Sequence, residues 1–418
     1  MTLRKSNLIE WLLLFALLNI FFKSINIPVL SDVGNSLEIL ILISIVIIFI
    51  SSGISLNRKN YSLFILYFAY LAISLVSSFD SNFKLVLMQL VINMKFFLLL
   101  LIFLNVKLSC RYFEKVNKWL SFLLMLNVLA ILMENVAPSL YRAIFAGAIT
   151  DTIIQGTQFK RYSGVFYHPG PMGVFCGIML IISVIRFAEC REKYILFPIL
   201  LSSVGLFFSG QRMEFLTALL VILLLFVVNK IKIINEEFVK KYFNFLVAPP
   251  VLLFIIYLLS FDYKTEFTNY DNARGVLYVG SLELAKSNFP LGEGLSNYGS
   301  STSINNPSAA YFEVGINNLW WFEGASYLTD TFWAMIIGES GFLGLLLYFL
   351  FLIRLIMMQL KMSLSRFKKS YFSVFSVALL FYSLIISLNA PIYTGAILPL
   401  YLIALNLGQS LRECNDVH

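Results

Sequence analysis

Apolar residues in this chain come in long blocks separated by short polar punctuation. The pattern shows neither the two-residue alternation of a half-buried strand nor the narrow stripe of a soluble helix. The blocks fall near positions 7–23, 37–54, 61–78, 85–106, 117–137, 168–187, 194–209, 213–229, 243–261, 331–353, 371–388 and 391–408. Each is close to the ~20 residues a helix needs to cross a hydrocarbon core. They predict an all-α polytopic membrane protein of about twelve transmembrane helices, forming one integral membrane domain over 1–418. Ten-residue alternating strands are absent, which argues against a β-barrel. The paired Pro249-Pro250 predicts a kink or packing irregularity in the ninth block.

The pattern breaks once at length, over 262–330. Loops this long are usually functional or disordered, so this segment is expected to be the working surface and to contain short helices of its own. Arg274 opens an amphipathic helix in which Ala273, Leu277, Gly280 and Leu284 share a face. After Pro290 the run GEGLSNYG predicts flexible turns with exposed backbone. Asp330 stands at the mouth of the next hydrophobic helix, with Glu339 and Gly341 deeper inside it.

Composition strengthens the membrane reading, with 59% hydrophobic and 13% charged residues and a mean hydropathy of +0.83, well outside the soluble range. A net charge of +8 would point to nucleic acid in a soluble chain. Here the basic residues lie between apolar blocks, where they set orientation, and no nucleic-acid partner is expected. Of the 31 Lys and Arg residues, 21 fall in the tails and the connections on their side, and 9 in the other set, although the latter holds the two longest loops. The positive-inside rule therefore predicts cytoplasmic termini and an outer long loop. The basic amino end precedes an apolar run with no small-residue cleavage pattern, so it is read as a retained first helix. Cys110, Cys190 and Cys414 fall on the basic side and Cys176 inside a helix, so neither a disulfide nor a metal site is expected.

Three outer arginines are the leading candidates for chemistry: Arg161 in KRYSGVFYHPGPMG, Arg212 in FFSGQRMEF and Arg274 in DNARGVLYVG. A guanidinium is permanently charged and presents a fork of donors matched to phosphate oxygens, so three converging on one cavity would bind a pyrophosphate. Singly, each also fits a solvated or headgroup-facing position. His168 heads a helix and suits either a phosphate or sugar contact or a cap. Asp330 suits a general base and also an N-cap. Glu339, Glu10, Lys95 and Glu134 are charges within apolar blocks, for which structural pairing is the plainer reading, with Lys95 a partner for one of the carboxylates. YFEVGINNLWWFEG and SNYG suit either sugar stacking or, for Trp320 and Trp321, an interfacial belt.

The order of these pieces resembles the O-antigen polymerase and O-antigen ligase superfamily of bacterial inner-membrane glycosyltransferases. The matching runs are RYSGVFYHPGPMG, SGQR, ARGVLYVGSLELAKSNFPLGEGLSNYG and a charged residue heading a helix with GESGFLG, from about Lys160 to Gly344. Gly170 stands where that family often has Asn. Asp330 stands where its ligases present His, which turns the resemblance toward the polymerase branch.

The resemblance implies polymerisation of undecaprenyl-pyrophosphate-linked oligosaccharide units into O-antigen or capsular polysaccharide at the periplasmic face, with no cofactor, metal or nucleotide sugar. It implies Arg161, Arg212 and Arg274 on the pyrophosphate, Asp330 on the acceptor hydroxyl, and support from Tyr167, His168 and Glu339. Expected partners are the lipid-linked donor and acceptor, membrane lipids, a chain-length regulator and a repeat-unit flippase. An O-antigen ligase acting on lipid A-core and a transporter of lipid-linked sugars are the alternatives.

Overall fold

The structure is a computed structural model. It describes scattered positions between 10 and 47, then 60–79, 81–105, 110–145, 160–231, 273–304, 307–322, 327–365, 372–395 and 397–405. The expected second block is described only at isolated positions, and the ninth block with Pro249-Pro250 lies outside the described residues, as do both termini.

Among the described residues the fold is all helical, without a named strand. The main helices are α1 (Tyr61–Val76), α2 (Phe83–Asn105), α3 (Cys110–Val136), α4 (Pro138–Ile144), α5 (Pro169–Cys190), α6 (Leu196–Ser209), α7 (Arg212–Ile231), α8 (Ala273–Ser287), α9 (Phe332–Ser365) and α10 (Phe372–Ile386). Four stretches, Phe83–Leu101, Glu114–Val136, Pro169–Ala188 and Phe332–Lys361, are long and apolar enough to cross a membrane. Large apolar side chains remain exposed along these and neighbouring helices, among them Phe68, Leu132, Phe207 and Leu223. A helix that is apolar all round and still exposes such residues suits a lipid surround, so this is a helical membrane protein.

Helices α5, α6 and α7 form one packed group and α1, α8 and α9 another, with α10 touching α7 and α9. The turn between α6 and α7 is two residues long because Gly210 takes the left-handed conformation at φ 62° and ends α6, leaving Gln211 before Arg212.

The 262–330 segment departs from expectation where it is described. Its GEGLSNYG turns are largely buried and take part in the packing of α9. The long helix α9 is broken at Gly341, whose φ of 64° and ψ of −165° are non-helical. The interrupted ladder leaves two carbonyls and an N–H that the loop satisfies. Glu293 N donates to Gly338 O at 2.8 Å, Gly294 N to Glu339 O at 2.9 Å, and Leu343 N to Pro290 O at 3.1 Å.

The same loop is held from α1, since Ser78 Oγ accepts from Leu295 N at 2.7 Å. Helix α8 lies under the segment with Val276, Leu277, Tyr278 and Leu284 buried. Tyr298 is fully buried, donates to Leu277 O at 2.7 Å and stacks on Tyr311 with ring centroids 5.0 Å apart. The sugar-stacking expectation for SNYG therefore fails: this tyrosine is core. Trp321 is also buried, which removes it from an interfacial belt, whereas Trp320 is 69% exposed.

Candidate functional site

The loop 161–168 is built by contacts from α3 and α4. Glu134, buried near the end of α3, accepts from Ser163 N at 3.0 Å and Gly164 N at 3.2 Å. About two turns earlier on α3, Asn127 accepts from Val165 N at 3.1 Å, and Tyr141 of α4 donates its hydroxyl to Gly164 O at 2.7 Å. A buried carboxylate offers only acceptors, so a turn presenting successive N–H groups is its natural partner. The loop is thus fixed on both sides of residue 164, with Arg161 before it and Tyr167 and His168 after it. Glu134 consequently serves this loop. Lys95 donates to Gly395 O at 3.4 Å.

A further bond, Tyr162 N to Phe208 O at 3.0 Å, ties the same loop to the end of α6. Because Gly210 and Gln211 then lead directly into α7, Arg161 and Arg212 are set beside each other. Arg161 is half-buried, and its Nε is buried with no hydrogen-bond partner. Burial lowers its pKa first, and the positive charges of Arg274 and Arg212 lower it further, with Glu214 opposing them. Three guanidinium groups expected on separate pieces of sequence are therefore electrostatic neighbours.

His168 is the N-cap of α5, its Nδ1 accepting from Gly170 N at 3.1 Å. Both readings of this residue converge, because capping uses Nδ1 and leaves Nε2 as the N–H donor of a neutral ring. Although the ring reaches solvent, surrounding protein and then the charges of Arg161 and Arg274 lower its pKa, which keeps that tautomer. Tyr167 beside it is 43% exposed. Desolvation and the nearby Asp330 carboxylate raise the Tyr167 pKa, so the phenol is a donor.

Asp330 lies two residues before the first residue of α9, so Thr331 occupies the N-cap position expected for it. Its carboxylate pairs with Arg274 at 3.5 Å, the two side chains being 31% and 44% exposed. Crowding by protein raises the Asp330 pKa to about 6, and Arg274 holds it down from a higher value. A carboxylate with that pKa is ionised at neutral pH and basic enough to accept a proton.

Glu339 belongs elsewhere. It is fully buried and accepts from Ser296 N at 2.7 Å, locking the docked loop. The structure therefore places Arg161, Arg212, Arg274, Tyr167, His168 and Asp330 in one region and gives Glu339 a structural role. The sequence patterns missed the loop-holding roles of Asn127 and Tyr141, because neither lies within a motif. Glu214, which the sequence sets beside Arg212, has its Oε2 buried without a hydrogen-bond partner, and its charge acts on Arg161.

The region also gathers helix amino ends: His168 caps α5, Arg212 is the first residue of α7, and Asp330 precedes α9. Helix amino ends carry partial positive charge and unpaired N–H groups, so cations placed there favour an anion between them. Among the described residues no group of His, Cys, Asp and Glu has the arrangement of a metal site. No protein-family model matches the chain, and a search of curated proteins finds no match.

Proposed function

We propose that this chain is a membrane glycosyltransferase that polymerises lipid-pyrophosphate-linked oligosaccharide units at the outer face of a bacterial inner membrane. The observation that carries the reading is the convergence of Arg161, Arg212 and Arg274, coupled through their charges, next to a carboxylate with a pKa of about 6. The guanidinium groups hold the diphosphate and stabilise the negative charge that grows on it. The acceptor hydroxyl oxygen forms a bond to the anomeric carbon as the bond from that carbon to the diphosphate oxygen breaks. Asp330 takes the hydroxyl proton, and undecaprenyl pyrophosphate leaves. The donor carries its own leaving group, so the protein's task is to position the two substrates and move one proton. His168 Nε2–H and the Tyr167 hydroxyl supply neutral donors at the edge of the site.

The test is the surface-polysaccharide profile of a deletion strain. Loss of the ladder, leaving a single repeat unit on the core and restored by the wild-type gene, is expected. A bare core with accumulated lipid-linked polymer would indicate a ligase, and an unchanged ladder would overturn the proposal.

The pH profile supplies a second expected outcome. Asp330 acts only when ionised, so polymerisation at limiting donor, which reports the unliganded protein, falls about tenfold per pH unit below about 6. Among the described residues the charged and titratable groups facing it are Arg274 and Tyr167, and the Tyr167 phenol is pushed up, away from that pH. An acid limb near 4, where an ordinary aspartate titrates, would remove Asp330 from the role of base.

A further inference from the structure

We propose that Arg274 is a shared cation, held by Asp330 in the unliganded protein and handed to the donor diphosphate on binding, so that Asp330 is unmasked only once the donor is in place. The inference rests on the diphosphate reading and adds an order of events to it.

Its basis is the geometry of the single Arg274–Asp330 contact. At 3.5 Å between one guanidinium nitrogen and one carboxylate oxygen, the pair lacks the two parallel bonds of a fork. Both side chains reach solvent, at 44% and 31% exposure, so the pair is easily parted. Arg274 is also near enough to Arg161 and His168 for its charge to act on both, and the charge of Arg212 acts on Arg161. Asp330 is thus the ion-pair partner of Arg274 within a group of like charges that repel one another. Glu214, buried on α7, also acts on Arg274 and Arg161, but from beneath the surface.

A diphosphate presents several anionic oxygens over a span that a carboxylate does not cover, so it can engage two guanidinium groups together. It also relieves repulsion that Asp330 alone leaves standing. Arg274 sits on the second residue of α8 with an exposed side chain, and rotation of that side chain suffices for the exchange without movement of the helix. In the unliganded state one Asp330 oxygen is occupied by Arg274; after the exchange that oxygen is open to an acceptor hydroxyl and is the more basic for losing its cation. The consequence is ordered use of the site, with the donor bound before the acceptor is activated.

Competition makes a counter-intuitive prediction. Binding of inorganic pyrophosphate to the full chain in lipid nanodiscs, measured by calorimetry near neutral pH, is about two- to fivefold tighter for Asp330→Asn than for wild type, the range an exposed ion pair can contribute. Arg274→Ala binds more weakly than wild type. The double variant Arg274→Ala/Asp330→Asn binds no tighter than Arg274→Ala, because the gain runs through Arg274.

Unchanged or weaker binding by Asp330→Asn overturns the exchange while leaving the diphosphate site standing. A gain that persists in the double variant also overturns it, by showing that Asp330 repels the ligand directly. Absence of pyrophosphate binding by folded wild type overturns the diphosphate reading itself, and the exchange with it.

Discussion

Arg274→Ala is expected to collapse the polymer ladder to a single repeat unit while the protein remains inserted at wild-type level. The side chain is 44% exposed and packs no core, so its loss has little effect on folding. Its effect on catalysis is large for two separate reasons. A donor aimed at charge developing on a leaving group contributes about a 10²- to 10³-fold rate effect when it is removed. Arg274 also lowers the Asp330 pKa from the value that desolvation alone would set, so its removal shifts the acid limb of the residual activity to higher pH. Arg274→Lys keeps the charge and loses the fork, and is expected to restore the position of the limb more fully than the rate. The measurements are the ladder, protein level by immunoblot, and the pH profile of polymerisation in membranes. A full ladder from Arg274→Ala would remove this residue from the site.

The sequence carried the helices and the membrane class because lipid imposes a simple rule: every backbone polar group in a span must be satisfied within it. The expected blocks at 61–78, 85–106 and 194–209 lie within about three residues of α1, α2 and α6 at their ends. The site arginines were legible for a related reason, since a permanent charge beside a long apolar run demands an explanation.

The support for those arginines was far less legible. Glu134 and Asn127 lie on a helix read only for its hydropathy, and their partners are backbone N–H groups about thirty to forty positions away, which leave no trace in residue type. The role of GEGLSNYG was likewise hidden. Glycines and small polar residues predict turns wherever they occur. Nothing local distinguishes a turn that waves in solvent from one whose amides fill the gap in a broken helix. Burial of Tyr298 follows from that docking, and for this reason the expectation that SNYG meets sugars failed.

Gly341→Ala tests the broken helix and should be the most damaging single-methyl change in the described fold. At φ 64° and ψ −165° the backbone occupies a region that is essentially restricted to glycine. An added Cβ would also lie 2.1 Å from Leu291 O and 2.7 Å from Gly292 N, both main-chain atoms of the docked loop. The loop must therefore withdraw, losing its amide bonds to Gly338 O and Glu339 O and the Glu339 contact to Ser296 N. Backbone strain costs about 1–3 kcal/mol, and each buried donor or acceptor left unpaired adds about 1–3 kcal/mol. Their combination exceeds what most single substitutions do.

Gly315→Ala is the control. Its φ is 68°, but the nearest contact for a new Cβ would be Asn318 Nδ2 at 3.9 Å, so only the strain is incurred. Thermal unfolding in detergent and limited proteolysis of the segment after α8 should show a large loss for Gly341→Ala and a shift of a few degrees for Gly315→Ala. Equal behaviour of the two variants would mean that the loop does not seat in the helix break. Because α8 and α9 carry Arg274 and Asp330 to each other, the same variant is expected to disconnect that pair and lose polymerisation even in the fraction that remains folded.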